Sequence, residues 1–329
     1  MADRQASRTA VMVCQGRAIA DGRLAVGRFA DPIAVRLLRA DERAVVEGVR
    51  AGTRPRSGRD RIEYGLLDSV AKVLATRTVP IDEAVRAQGN SQLVILGAGL
   101  DARAWRMPEL ADVGVFEVDH PASQANKRDR VDGLEPIAKS VTYVPVDFAR
   151  DQLDSALRSA GFRGSVPTTW IWEGVLNYLT DAAVASTLTM IGELSAPGSR
   201  LIATYPTPSR LRWLGPLLLR VSSKLAGAQN PLQHEPQLSA WTPEQMRELV
   251  EAHGLVVSAD LDLLAVADEL SVAMNRARGH GLGRAVVADK PAEITIAADR
   301  GRSEAASRST RRRSSHPPRG RARAHRTSR

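Results

Sequence analysis

From residue 92 onward the chain alternates short apolar runs with helix-forming stretches. That alternation restricts the fold more than any other feature. The runs are QLVIL (92–96), VGVFEVD (113–119), SVTYVPVD (140–147), TTWIWEG (168–174) and SRLIATY (199–205). Their length and their β-branched and aromatic content suit buried strands. Helical patterning lies between most of them, from 101–106 onward and at 121–131, 150–160 and 180–195. Apolar strands separated by helices predict an α/β fold, a mostly parallel sheet with helices on both faces. LVVSADLD (255–262) and RAVVAD (284–289) finish the sheet. Ligands of such sheets bind outside the carboxyl ends of the strands, so the residues that end each strand carry the functional information.

The flanking segments follow a different pattern. Residues 1–60 are helix-prone and charged, and are assigned as an N-terminal helical segment that covers the substrate. A helix is predicted over 61–76, with Ile62, Leu66, Val70, Val73 and Leu74 on one stripe. A second is predicted over about 80–88, opened by Pro80 and stopped by Gly89. The proline-rich stretch 206–241 interrupts the alternation and is predicted to be an inserted lid. Helix 242–254 is strongly marked: Thr242 caps, Pro243 takes the first position, Gln245 completes a capping box and Gly254 stops it. The main domain is therefore placed at 61–300, followed by a tail at 301–329.

Composition matters here for what it excludes. The formal net charge of +9 belongs to the tail, where ten arginines and a single acid, Glu304, fall within residues 301–329. With alanine as its only aliphatic residue, that tail cannot bury enough surface to fold and is expected to be disordered. It has no aromatic side chain for base stacking, so weak non-specific contact is the most it offers a nucleic acid. Cys14 is the sole cysteine, which rules out an intrachain disulfide and suits a reducing compartment. No run is long and apolar enough to span a bilayer, so a cytoplasmic location and no membrane partner are expected. The six histidines show no metal-ligand spacing, and no metal is expected.

The strand ends deliver a glycine loop and a series of acids. The first strand leads into GAGLDARAWR (97–106), the second ends at Asp119 after Glu117, the third at Asp147-Phe148 and the fourth at Glu173-Gly174. Gly97 and Gly99 let a ligand approach the backbone. With Ala102 they also satisfy the dinucleotide fingerprint G-x-G-x-x-G/A. An acid such as Asp119, ending the second strand, suits the two hydroxyls of a ribose, whether in NAD or in S-adenosylmethionine. Asp101 separates the two ligands, because an acid inside the loop would oppose a pyrophosphate. S-adenosylmethionine has no phosphate and carries an ammonium and a sulfonium. Asp147 would meet the adenine amino group and Phe148 the face of the ring. Glu173, following the buried run WIW, needs either a partner or a role at the site. Glu117 reads as a sheet or loop partner. Arg103 is expected to pair with a strand-end acid and Arg106 to be solvated. His120 is expected to order its loop. Tyr178 and Tyr205 are assigned to packing, and Trp170, Trp172 and Trp241 to core or lid anchoring.

Four stretches together, QLVILGAGLDARAWRM, VFEVDHPASQANKRDRV, VTYVPVDF and PTTWIWEGVLNYLTDAAV, resemble the leucine carboxyl methyltransferase-like family. The closer likeness is to its bacterial, largely actinobacterial, branch. The resemblance covers residues 60–205 well and the flanks loosely. It implies a Rossmann-like class I methyltransferase fold and S-adenosylmethionine as cofactor. It also implies that Gly97 and Gly99 approach the methionine part, that Asp119 holds the ribose, that Asp147 and Phe148 flank the adenine and that Glu173 faces the methionine near the methyl. Arg77, in ATRTVPID, matches a family arginine that pairs with the cofactor carboxylate, a role that rests on resemblance alone. The function expected is methylation, with a lean to oxygen nucleophiles (a carboxylate or hydroxyl), of a small-molecule or peptide acceptor. The rival is an NAD(P)-dependent oxidoreductase using the same loop. The arginine-rich tail has no counterpart in the family pattern.

Overall fold

Five parallel strands carry the alternation: β1 (Gln92–Leu96), β2 (Gly114–Asp119), β3 (Ser140–Pro145), β4 (Thr168–Trp172) and β5 (Arg200–Tyr205). They belong to a computed structural model that describes residues 8–56, 58–147, 150–208, 239–274 and 282–292. Phe148, most of the expected lid (209–238) and the arginine-rich tail (301–329) lie outside the described residues. β6 (Val256–Asp262) and β7 (Arg284–Asp289) complete one seven-stranded sheet in the order β3-β2-β1-β4-β5-β7-β6. β7 runs antiparallel to both of its neighbours, while the remaining pairings are parallel.

Helices on both faces explain the unbroken apolar runs, and every residue of β1 and β4 is buried. Alternate side chains serve opposite faces. Val94, Leu96, Trp170 and Trp172 pack with Phe116, Phe162 and Leu188 on one side. Leu93, Ile95, Ile171 and Ile202 pack with Trp105 and Met107 on the other. Trp241 joins the first cluster, in keeping with an anchoring role. The strand order reverses between β1 and β4, which creates the crevice where α/β sheets bind ligands. A dinucleotide sheet has the order 3-2-1-4-5-6. Here an antiparallel strand is wedged between β5 and β6, the arrangement of a Rossmann-like class I methyltransferase fold.

The N-terminal segment supplies α1 (Arg8–Ala20) and α2 (Ala40–Arg50), which share an apolar cluster with α3 (Gly58–Gln88). α3 corrects the sequence expectation of two helices, because it is continuous through Pro80. A proline inside a helix removes one hydrogen bond and crowds the preceding turn. Burial of Thr76, Thr78, Val79, Ile81 and Asp82 around it holds the helix together. The predicted stripe holds only in part. Leu74 is buried and Val70 and Leu74 meet α1 at Gly16, but Ile62 is exposed, and Leu67, Ala71, Ala75 and Val79 are buried as well. Small alanines form part of the contact with α1, and ranking residues by apolar bulk overlooks them.

The remaining helices are α4 (Arg103–Arg106), α5 (Pro121–Arg130), α6 (Leu153–Ser159), α7 (Asp181–Leu194), α8 (Pro243–Glu251) and α9 (Leu263–Glu269). The capping box of α8 forms as expected: Thr242 Oγ1 accepts from Gln245 N at 3.2 Å and Gln245 Oε1 from Thr242 N at 2.9 Å. The flanks of the proline-rich insertion meet at the site end of the sheet. Trp241 N donates to Pro206 O at 3.1 Å, and Ser239 Oγ to Leu176 O at 3.0 Å. No described helix is long and apolar enough to cross a membrane.

α7 packs on the turn after α8 through Gly192, where a Cβ would overlap the carbonyl oxygen of His253. Alanine is favoured over glycine in a helix by about 1 kcal/mol, but overpacking against backbone costs about 1–3 kcal/mol. The clash should prevail, so Gly192→Ala should melt about 2–6 °C below wild type. An unchanged or higher melting temperature would mean that the 251–254 turn yields without cost.

Candidate functional site

The glycine loop after β1 is closed on itself. Gly97 and Ala98 donate their N–H groups to Val118 O at 2.8 and 3.1 Å, and Gly99 donates to Asp119 Oδ2 at 2.6 Å. Gly97 has φ of 70° and Gly99 of 49°, which favours glycine at both. A Cβ on Gly97 would stand 2.6 Å from Val175 Cγ2, so the glycine lets the β1 and β4 loops meet across the crevice. Asp119 is pinned a second time, because its Oδ1 accepts from His120 N at 2.7 Å. Each oxygen keeps acceptor capacity beyond these bonds. His120 itself caps α5, its Nδ1 accepting from Ala122 N at 3.2 Å, which is the loop-ordering role expected of it.

Behind the loop lies a buried cluster of charges. Asp101 Oδ1 accepts from Arg103 N at 2.8 Å, its Oδ2 bonds Arg103 Nη1, and Arg17 Nη1 stands 3.8 Å from the same oxygen. Arg103 Nε donates to Asp82 Oδ1 at 2.7 Å, and its Nη2 lies 3.0 Å from Glu173 Oε2. Arg106 pairs with Asp82 at 2.7 Å and with Asp31 at 3.4 Å. Arg17 Nη2 donates to both Glu173 oxygens at 3.1 Å, and Arg77 Nε to Oε1 at 2.8 Å. The four guanidiniums of Arg17, Arg77, Arg103 and Arg106 thus balance the four carboxylates of Asp31, Asp82, Asp101 and Glu173.

Burial alone would raise these acids. Arg17, Arg77 and Arg103 outweigh it and hold Glu173 well below the usual carboxylate range. The same opposition lowers Asp101, chiefly through Arg103 and Arg17, and Asp82, through Arg106 and Arg103. At Asp31 burial prevails over Arg106 and Arg17, and its carboxyl is raised.

The cluster changes the meaning of Asp101. Its charge is offset by Arg103 and Arg17, so it does not present a bare acid to whatever the loop holds. The loop backbone separates the two ligands instead. The N–H groups of Gly97, Ala98, Gly99, Asp101 and Arg103 are all engaged within the protein. The helix that follows, α4, is a single turn. A pyrophosphate draws on free loop amides and a helix N-terminus; here most of the loop amides are already spent and the helix that follows is one turn. Arg103 pairs with strand-end acids as expected. Arg106, expected to be solvated, is buried on Asp31 and Asp82.

Arg77 approaches from α3, and its terminal nitrogens lie 3.3 and 3.4 Å from where a Gly174 Cβ would be. Asp147 stands partly exposed beyond the end of β3, with Arg150 Nε 3.7 Å away and its own N–H donating to Asp151 at 2.8 Å. Glu117, two residues before Asp119, is sealed under α5 with Lys127 Nζ at 2.6 Å, the partner role expected of it. Tyr205 is tied to Asp260 by its hydroxyl at 2.7 Å, a packing role as expected. Sequence reasoning missed Arg17, Asp31, Asp82 and Lys127. A lone arginine within VMVCQGRAIA was the available signal, since a charge on a buried face must find a partner. Among the described residues no three His, Cys, Asp or Glu side chains group to hold a metal ion.

A sheet of this order, with a glycine loop after β1 and a pinned acid ending β2, defines a protein of the class I methyltransferase fold. The fold recurs in a DUF574 family protein from Streptomyces avermitilis, at a TM-score of 0.52 and 14% identity, covering 88% of this chain and 99% of that one. The chain belongs to the leucine carboxyl methyltransferase family, whose sequence model matches residues 10–192, more than half of its length. It is 45% identical over 129 residues to a protein of Mycobacteroides abscessus, and 37% identical over 208 residues to one of Mycolicibacterium smegmatis. Both relatives carry the provisional name of S-adenosyl-L-methionine-dependent methyltransferase. The matches cover 38% and 60% of this chain and span 42% and 66% of those relatives' own lengths.

Burial pushes the Glu117 carboxyl up to about 7, against the pull of Lys127. A raised acid contributes stability that is complete below its ordinary value near 4.5 and is lost as pH rises through about 7. Glu117→Gln cannot titrate, so its stability penalty should be smaller at pH 8 than at pH 5 in paired urea melts. Equal penalties at the two pH values would show a carboxylate that stays charged throughout.

Proposed function

We propose that this protein is an S-adenosylmethionine-dependent methyltransferase that methylates an oxygen nucleophile, preferably a carboxylate, on a small-molecule or peptide acceptor. The observation that carries the reading is Asp119. Two backbone N–H groups hold its carboxylate at the end of β2, beside a loop most of whose amides are already engaged. That arrangement suits a ribose without a pyrophosphate. The residues present fit the rest of the cofactor by their chemistry. Arg77 offers terminal guanidinium nitrogens to a carboxylate, and Asp147 offers an acceptor to the adenine amino group. The names of the relatives support the same cofactor, and the dinucleotide alternative has no such support.

When bound, S-adenosylmethionine supplies a methyl group made electrophilic by its sulfonium. The protein then contributes mainly alignment, because bringing nucleophile and electrophile into line supplies much of the rate. Asp119 and Arg77 would fix the two ends of the cofactor. The acids beside them are poor bases, since guanidiniums hold Asp101 and Glu173 in the ionised form with lowered proton affinity. Glu117 would bind a proton near neutrality but is sealed under α5. A nucleophile that arrives already ionised, a carboxylate above all, needs no base. A neutral aliphatic alcohol would need one.

Calorimetric titration of the purified chain should show S-adenosylhomocysteine binding and no comparable affinity for NAD; the reverse pattern would sink the proposal. Asp119→Ala should weaken S-adenosylhomocysteine by about 10–100-fold, the worth of a charge-assisted contact to vicinal hydroxyls. An affinity equal to wild type would remove Asp119 from the site.

A further inference from the structure

We propose that Arg17, on the N-terminal helix α1, is a positioning residue of the cofactor site. Through Glu173 it sets the Arg77 guanidinium that receives the amino-acid half of the cofactor. The inference rests on the cofactor reading above and adds to it a part for the N-terminal segment, beyond covering the substrate.

Three observations lead to it. The first is the placement of Arg17. Its side chain is buried, and its partner lies not on the neighbouring helices but on Glu173, at the end of β4 and 156 residues away. A guanidinium is buried only where its pairing repays the lost hydration. The second is that Glu173 is already heavily engaged. Oε1 accepts from Arg17 and Arg77 and Oε2 from Arg17, while Arg103 Nη2 lies 3.0 Å from Oε2 as an ion pair. An ionised carboxylate has about four acceptor sites, and three guanidiniums already neutralise this one, so it is a poor receptor for the cofactor ammonium. Glu173 therefore acts on the cofactor through Arg77, whose Nε it fixes while the terminal nitrogens stay over Gly174. The third is that α1 lies across the glycine loop. A Cβ on Gly99 would stand 3.3 Å from the Ala10 Cβ. One helix thus touches the loop at Ala10 and grips Glu173 and Asp101 at Arg17. Without Arg17, each Glu173 oxygen loses a donor, and the carboxylate is free to turn toward Arg103 and release Arg77.

The test separates the two halves of the cofactor. S-adenosylhomocysteine carries the amino-acid carboxylate, whereas 5′-methylthioadenosine keeps the adenosine and sulfur without it. Arg17→Met should bind S-adenosylhomocysteine about tenfold or more weaker, the cost of loosening one charge-assisted contact, with methylthioadenosine affinity unchanged. Arg17→Lys keeps the charge but not the spread of donors, and should fall between wild type and Arg17→Met. If Arg17→Met gives no cooperative melt, the lysine variant decides by the same two titrations. Equal losses for both ligands would reveal a merely structural arginine, and no loss for either would also overturn the proposal. Wild-type protein that binds neither ligand would overturn the cofactor reading itself.

Discussion

The buried exchange of charge between Arg17, Arg77, Arg103, Arg106 and their four carboxylates is the constraint on which the site depends. Removing so many ions from water is costly, and their mutual attraction roughly repays it only when every member is in place. The cluster is therefore a weak source of net stability but a strong source of order. Deleting one partner leaves an uncompensated charge, at a cost of about 3–5 kcal/mol. Because its members come from α1 and the segment after it, α3, the glycine loop with α4, and the turn after β4, those elements must adopt one relative arrangement to satisfy it.

That arrangement decides what remains for chemistry. The acids nearest the crevice are committed to guanidiniums, so the reactive end of the sheet holds rigid charge and few groups able to take a proton. The Arg77 guanidinium is oriented by the cluster through Glu173, while Asp119 is held separately by the Gly99 and His120 N–H groups. Such a site is built for alignment more than for proton transfer. The antiparallel β7 between β5 and β6 sets the sheet apart from the parallel dinucleotide-binding order, although the glycine spacing matches both.

Local physics made much of this legible. β1 runs over 92–96 in both the sequence pattern and the structure, because a short β-branched run of that length between helices suits a strand buried on both faces. The α8 capping box and the His120 cap form as their side chains require. Departures occur where a long-range contact overrides a local preference. Pro80 reads as a helix start, yet α3 passes through it because both adjoining turns are buried. Ile62 reads as core but faces water, since the contact with α1 falls farther along α3, on Leu67, Val70, Ala71, Leu74 and Ala75. Arg106 reads as solvated because its partners, Asp31 and Asp82, lie far from it in sequence.

The sequence by itself determined the strands, their order of appearance, the glycine loop and the acids that end β2, β3 and β4. Continuous apolar runs, turn residues and residue type are local properties that a chain carries wherever it goes. The tertiary structure alone decided which charges meet. Coulomb energy in a buried site depends on distances of a few ångströms between residues up to 156 positions apart. No spacing in the sequence encodes such distances. Asp101 and Glu173 were visible as acids at strand ends, but only packing showed that they are held by arginines from three separate elements and that the N-terminal helix supplies one of them.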